Sequence, residues 1–297
     1  MSPPNLRIGT RQSRLALAQT RIIVDLLCDL DLEIDVEIVK LSSLGDERPD
    51  DSIVAGLGVG AFTNQIQNAL LDGAIDVAVH SLKDLPVQGV TGIELAAVPV
   101  RDDPSDVLVS RAGIALEDLP AGARVGTSSP RRAAQIKLVR EDLSVGPLRG
   151  NVETRIRKVD DCEIDAAILA AAGLIRLGLS DRIVQHLAMP AFLPAPGQGA
   201  LAIETREGDS RAANIIRGFD DPGLRACITA EREFLSALGG GCLQPVGALG
   251  IIRNQKLELQ AGAYGEVART VVVSGSPNSA PDIGKEAADL VLAGAGI

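Results

Sequence analysis

Apolar positions recur along this chain with two different periods, and the changes between them mark out its elements. Leu6 to Thr10 reads as a short strand, and Ser13 to Leu27 after it places Leu15, Ala18, Ile22 and Leu26 at helical spacing. Ile34 to Leu41 predicts a second strand and Thr63 to Leu71 a second helix. Between them lie Leu44-Gly-Asp-Glu47 and a glycine-rich stretch, Val54 to Ala61, that reads as a loop beside Phe62. Ile75, Val77, Ala78 and Val79 form a short apolar run of the kind a parallel sheet covered on both faces uses. That run leads directly into Lys83-Asp84, where Pro86 prevents regular structure from continuing.

The pattern then repeats. Val98-Pro-Val-Arg-Asp-Asp-Pro104 is a Pro-rich, charged divider. Beyond it, Arg124-Val-Gly-Thr-Ser-Ser-Pro-Arg-Arg-Ala133 matches Arg7-Ile-Gly-Thr-Arg-Gln-Ser-Arg-Leu-Ala16 at six of ten positions, counting one Ile/Val exchange, and a helical pattern again follows. Ile164-Asp-Ala-Ala-Ile-Leu169 echoes Ile75-Asp-Val-Ala-Val-His80. The self-similarity predicts two α/β lobes of one type serving a shared cleft. Leu193-Pro-Ala-Pro-Gly-Gln-Gly199 reads as a crossover, and the strand-like Ala200 to Thr205 is expected to return to the first lobe. Asp220-Asp-Pro222 opens a third unit. Its helix, Leu224 to Leu238, carries Ala226, Ala230, Phe234 and Ala237 at core spacing; strands follow around Lys256 to Ala263 and Arg269 to Val273, and a closing helix runs from Pro281 to Leu292. The predicted division is 1–99 with 200–218, 105–193 and 222–297, the last a smaller α+β domain.

Composition narrows the chemistry. The 297 residues suffice for two or three cores, and with 46% hydrophobic but only 2% aromatic residues those cores are aliphatic. A formal charge of −10 and the scarcity of stacking side chains argue against nucleic acid, and against an anionic membrane, as partner. Cys28, Cys162, Cys227 and Cys242 show no C-x-x-C spacing, so neither a metal site nor a disulfide framework is indicated; a reducing cytoplasm is the expected compartment. The first 19 residues lack an apolar core of the export type, and the longest apolar run, Ala166 to Ile175, is too short to span a bilayer.

Ligands of open α/β sheets sit beyond the carboxyl ends of the strands, which is where Lys83-Asp84 falls. The bland alternative is a solvated ion pair. Arg131, Arg132, Arg149, Arg155, Arg157 and Arg176 crowd one region of an acidic chain. Either they line a cleft for a polyanionic small molecule or they are solvated helix faces. Ser128 and Ser129 are placed to cap the helix that follows them. Cys242 follows three glycines, which suits a covalent attachment on an accessible turn, whereas an arbitrary free cysteine is usually a buried apolar group. His80, on its strand, and His186, in a helix-like segment, are expected to be structural.

Taken together, Arg11-x-Ser13-x-Leu15-Ala16, His80-Ser-Leu-Lys-Asp84, Gly126-Thr-Ser-Ser-Pro-Arg-Arg132, Leu148-Arg-Gly-Asn151, Pro196-Gly-Gln-Gly199 and Gly240-Gly-Cys242 closely resemble the porphobilinogen deaminase (hydroxymethylbilane synthase) family over essentially the whole length. The resemblance implies two lobes similar to periplasmic binding proteins plus a cysteine-bearing third domain. It also implies a dipyrromethane cofactor held by a thioether to Cys242, with four porphobilinogen molecules deaminated and joined to it head to tail by a monomer. It assigns catalysis to Asp84 with Lys83, and cofactor binding to Ser81, Lys83, Asp84, Thr127, Ser129, Arg131, Arg132, Arg149 and Gly150. Substrate binding is assigned to Arg11, Ser13, Gln19, Phe62, Arg149, Arg155, Ala170, Arg176 and Gln198. Where the family usually carries lysines, this chain has Ala55, Val59 and Asn64, and Pro130 replaces an aliphatic residue, a change of turn rather than of charge. Two readings from other classes stand beside this one. A two-lobed binding protein or sensor for an anionic metabolite explains the lobes and arginines but leaves Asp84 and Cys242 unused, and a cysteine-dependent transferase or hydrolase uses the thiol directly.

Overall fold

The computed structural model describes residues 5–30, 34–41, 64–239, 245–265 and 267–294. The first apolar run forms β1 (Asn5–Arg11), which turns into α1 (Arg14–Cys28); Ser13 caps the helix, its hydroxyl accepting from the Ala16 amide at 3.2 Å. The buried stripe of α1 is Gln19, Thr20, Ile23 and Leu27. The line Leu15, Ala18, Ile22 and Leu26 read from the spacing is only partly buried, so the packed face is turned by one helix position, about 100°. The cause is visible in the sequence: apolar residues occupy more than half of this helix's circumference, and spacing alone does not select among them.

Residues Met1–Arg101 and Ala200–Arg225 form one compact unit. Its sheet contains β1, β2 (Asp35–Leu41), β3 (Val77–Ser81), β4 (Ile93–Ala97) and β10 (Leu201–Arg206), in the order β2-β1-β3-β10-β4. β1 pairs in parallel with β2 and β3, while β10 is antiparallel to both β3 and β4. The apolar run that predicted a parallel sheet therefore lies in a mixed one, and the strand after the crossover does return to the first lobe. Ile23 and Leu27 of α1 pack with Leu6, Ile8, Val77 and Val79 on one face, while α2 (Asn64–Leu71) sets Ile66 and Leu70 against Ile75 and Ala78 on the other. Alternation along β3 divides its side chains between the two layers, so both faces are buried.

The second compact unit comprises Asp102–Gly199 and Ala226–Ile297. Its five-stranded sheet contains β5 (Asp106–Ser110), β6 (Arg124–Gly126), β7 (Ser144–Gly146), β8 (Ala166–Ala170) and β9 (Gln185–His186), in the order β7-β6-β8-β5-β9. Strand for strand this is the first sheet again, down to register: Gly9 lies opposite Ala78 and Gly126 opposite Ala167. A Cβ on Gly9 would collide with Ile75 Cδ1, and one on Gly126 would come within 2.7 Å of Ile164 Cδ1. Arg7 and Arg124 each hold the aspartate that follows that isoleucine, Asp76 and Asp165, through backbone amide and guanidinium alike.

The repeats differ at the turn. Ser129 caps α3 (Pro130–Val139), accepting from the Arg132 amide. It stands three residues after its glycine, whereas Ser13 stands four after Gly9, so the second turn is one residue shorter. Pro130 sits at the first helical position, where its missing N–H costs nothing. α4 (Val152–Asp160) and α5 (Ala171–Arg176) complete this layer. His186 is in a two-residue strand paired with β5, not in a helix; so short a strand has no alternation for a period to reveal.

The remainder of the second unit is an antiparallel meander of β11 (Val246–Arg253), β12 (Lys256–Tyr264) and β13 (Ala268–Gly275), covered by α7 (Pro222–Ala237) and α8 (Ala280–Leu292). β11 adds a strand to the two expected. Ala230 and Phe234 enter its core with Leu257, Leu259, Val271 and Ile283, whereas Ala226 is partly buried and Ala237 exposed. α6 (Ser210–Arg217) belongs to the first unit, where Ala212 and Ile216 join the core around Val77 and Val79. Among the described residues, no helix is long and apolar enough to cross a membrane.

Candidate active site

In the first unit the site residues gather at the carboxyl ends of β1 and β3. β3 ends at Ser81 and turns through Leu82–Asp84; Leu82 is buried and its amide donates to Ala200 O at 3.0 Å, which anchors the turn. Asp84 is exposed at its end. From α1, buried Gln19 donates to Ser81 Oγ at 2.6 Å. Arg11, Ser13, Gln19, Ser81 and Asp84 together line a recess, with Leu15, Ala16, Val79 and His80 completing its lining. A cation, two hydroxyls, an amide and a carboxylate thus surround one small space. Lys83 stands half-buried on the same turn and is not one of the lining residues. His80 is buried with Nε2 3.2 Å from Glu204 Oε2, and Gln67 donates to both oxygens of that carboxylate, a packed structural role as expected.

The corresponding end of the second sheet collects the remaining positions. Thr127 and Ser129 form the turn into α3, and Ser129 N donates to Thr127 Oγ1. Ser128 Oγ donates to Leu148 O and accepts from Leu148 N, tying that turn to Leu148-Arg149-Gly150. Gly150 lies in the left-handed region at φ +105, where a Cβ would also meet Thr154 at 2.7 Å, so the glycine is required. Asn151 caps α4, and from that helix Arg155 Nε donates back to Gly150 O at 2.8 Å, while Arg149 is exposed. Ala170 ends β8 directly opposite Asp106. Arg176 is buried by its surroundings, with Nε 2.7 Å from Asp102 Oδ2 and Nη2 bonded to Gly199 O; burial pulls its guanidinium below the usual arginine value against the pull of Asp102.

Arg131 and Arg132 are nearly inaccessible. Both donate to Asp106, a completely buried carboxylate that also accepts from Gln198 Nε2 at 2.8 Å. Burial alone would push the Asp106 carboxyl up, but the two guanidinium groups outweigh it and hold it far below the ordinary carboxylate range. Asp106 was not anticipated from the sequence. Its signal was slight: an acid opening the otherwise apolar run Asp106-Val-Leu-Val109. Glu231 was missed too. It is fully buried on α7 and accepts from the Gly197 amide at 2.7 Å and the Gly250 amide at 2.8 Å, fixing the crossover that carries Gln198.

Phe62, Cys242, Ala55 and Val59 lie outside the described residues; Asn64 is exposed at the start of α2. Of the other cysteines, Cys227 is buried in the core of the C-terminal meander, and Cys28 and Cys162 are exposed. His186, half-exposed, meets both Ser105 Oγ and Asp103 Oδ2 through the same Nδ1, so the three side chains form no relay.

A family model described as "Porphobilinogen deaminase, dipyromethane cofactor binding domain" matches residues 6–214, and one described as "Porphobilinogen deaminase, C-terminal domain" matches residues 225–293. A curated protein named porphobilinogen deaminase from Acidothermus cellulolyticus is 46% identical over 298 residues, covering 98% of this chain and 89% of its own length. Its namesake from Syntrophus aciditrophicus is 42% identical over 294 residues, covering 98% and 96%. Among solved structures, the methionine-binding protein MetQ superposes with a TM-score of 0.46 at 13% identity, covering 72% of this chain and 89% of that one.

Proposed function

Because the chain belongs to the porphobilinogen deaminase family, we propose that the recess around Asp84 is where porphobilinogen loses ammonia and is joined to the growing chain. The enzyme is a transferase of tetrapyrrole biosynthesis. It deaminates four porphobilinogen molecules in turn, links them head to tail on a dipyrromethane cofactor and releases hydroxymethylbilane.

The donor set fits such a cofactor. A dipyrromethane with acetate and propionate arms offers pyrrole N–H donors and several carboxylates; this chain supplies an exposed carboxylate at Asp84, hydroxyls at Ser13, Ser81, Thr127 and Ser129, and guanidinium groups at Arg11, Arg149 and Arg155. When bound, the cofactor contributes the nucleophilic pyrrole carbon to which the first substrate is joined. Asp84 accepts N–H donors and faces the cation left on the substrate when ammonia departs, since an ionised carboxylate nearby lowers the energy of that species. Arg11 takes a substrate carboxylate while Gln19, held against Ser81, keeps the strand end in place. Lys83, on the same turn, adds a positive charge next to Asp84 in the chain. Arg149, Gly150 and Arg155 hold carboxylate arms at the other sheet, whose strand β8 ends at the small Ala170, and Arg176 and Gln198 order the crossover.

The reading includes attachment through Cys242 and three domains, 1–99 with 200–218, 105–193 and 222–297. It further includes a monomer acting in the cytoplasm, where the thiol is kept reduced, without nucleic acid or membrane as partner. The observation that carries it is the gathering of Arg11, Ser13, Gln19, Ser81 and Asp84 in one recess of a chain of this family. Its test is the intact mass of the purified protein beside Cys242→Ala, before and after brief incubation with porphobilinogen. A mass excess of two linked pyrroles, absent from the variant and growing in pyrrole-sized steps, supports it. No excess and no ladder, even after an attempt to rebuild the cofactor from porphobilinogen, overturns it.

A further inference from the structure

The paired arginines that the family assigns to cofactor carboxylates already hold a carboxylate of the protein's own. Asp106 accepts from Arg131 Nη1 at 2.5 Å and Nη2 at 3.3 Å, from Arg132 Nε at 2.9 Å and Nη2 at 2.7 Å, and from Gln198 Nε2 at 2.8 Å. Arg131 Nη1 also donates to Gln135 Oε1 and Leu193 O, and Arg132 Nη1 to Ile168 O. Nothing in this array is loose. The Asp106 side chain has 0% exposure, that of Arg131 4% and that of Arg132 8%, so most of the little that faces outward belongs to Arg132, beside the Ser129 cap.

Charge counting gives the cluster its function. Two guanidinium groups and one carboxylate sum to +1. Without Asp106 the same volume would hold two adjacent cations with no counter-ion, an arrangement that burial penalises heavily. With it, the pair is one charge short of neutrality, and a single further carboxylate balances it.

We propose that Asp106 is a positioning residue of the transferase: it fixes the direction of both guanidinium groups and of Gln198, and sets the cluster to accept one ligand carboxylate rather than two. This rests on the function given above, but part of its test does not. Inorganic sulfate serves as the anion probe, with chloride at matched ionic strength as control, applied to wild type and to Asp106→Asn, which keeps the shape and removes the charge.

The variant is expected to melt lower than wild type, to regain most of that loss in sulfate but not in chloride, and to bind sulfate about tenfold more tightly, the equivalent of about 1.4 kcal/mol. It should also retain the two-pyrrole mass excess on fewer chains. A sulfate response equal to that of wild type would mean that no anion reaches the cluster and would overturn the proposal, whatever the enzyme's activity. Should Asp106→Asn not fold, Asp106→Glu keeps the charge and moves the carboxylate by one methylene. It is expected to show the wild-type sulfate response with a raised KM for porphobilinogen and fewer loaded chains; wild-type KM, kcat and loading would end the positioning role. If wild type itself shows no pyrrole ladder, the functional reading fails, while the sulfate comparison still reports on the cluster.

Discussion

Replacing Asp84 by Asn removes a charge and almost nothing else. The side chain is exposed at the end of an anchored turn, so the fold should change in stability by no more than about 0.5 kcal/mol. The chemical effect is set by the attraction between that carboxylate and a cation forming on the substrate. At about 4 Å this is about 4 kcal/mol for an effective dielectric near 20 and about 1 kcal/mol in bulk water. The exposure of Asp84 puts the empty recess near the lower figure, and substrate that displaces water moves it toward the higher one. Each addition should therefore slow by a factor between about five and about a thousand, and by more than a hundred if binding dries the site. The assay is single turnover: purified enzyme is mixed with one equivalent of porphobilinogen, quenched in acid, and the first pyrrole-sized mass step is followed in time on chains that carry the two-pyrrole excess. This separates bond formation from product release. A loss smaller than about fivefold in a normally folded variant would refute electrostatic stabilisation by Asp84.

Three further outcomes follow from the packing. Glu231→Ala leaves the Gly197 and Gly250 amides without their charged acceptor, at about 1.5–3 kcal/mol each, so the melting temperature should fall by the order of 10 °C; a fall of less than about 2 °C would show that the crossover is not fixed there. Gly9→Ala overpacks Ile75 Cδ1 and should cost about 1–3 kcal/mol in a urea titration, most of it recovered in Gly9→Ala/Ile75→Val, which lacks that methyl; strictly additive effects would contradict the close approach. Asp76 would be raised by burial, but Arg7 and Arg206 overcome this and hold its carboxyl below the ordinary value. Its stabilising contribution is complete above the unfolded value, near ~3.9, and is lost as the pH falls below that toward the folded value, because the unfolded chain then binds the extra proton. Stability should drop less steeply with acid in Asp76→Asn, and parallel curves would refute the linkage.

How much of this was legible in the sequence depended on whether a residue's role is written in its neighbours along the chain. The strand-turn-helix units around Gly9 and Gly126, the return of β10 and the turn bearing Asp84 all follow from local patterns, and they stand where those patterns put them. The buried face of α1 did not follow, because a helix apolar on most sides is oriented by what packs on it. Nor did Asp106 and Glu231. A buried carboxylate is recognisable only by its donors, and those of Asp106 come from α3 and the crossover, 25, 26 and 92 positions away. For the same reason Arg131 and Arg132 read either as lining a cleft for a polyanion or as part of a solvated helix face, when a partner within the protein already holds them.

The two sheets show which differences between the repeats matter. What they share is what packing demands: the glycine against its isoleucine, the arginine on its aspartate, and the strand order. They part company at the strand ends. β3 runs on into Ser81-Leu-Lys-Asp84, whereas β8 continues as Ala170-Ala-Ala-Gly173, with neither hydroxyl nor charge. In the antiparallel neighbours the asymmetry reverses: Leu201 lies opposite Ser81, but Asp106 lies opposite Ala170. One scaffold thus carries its carboxylate outward on a turn, exposed, and the other carries it inward on a strand, where it meets two arginines. An ionised group is catalytically useful where it can face a charge that appears during the reaction, and useful for positioning where its counter-charges are permanent. On the function proposed above, the difference in burial between Asp84 and Asp106, one exposed and one sealed, suits the first to a charge that forms during the reaction and the second to the permanent charges of Arg131 and Arg132.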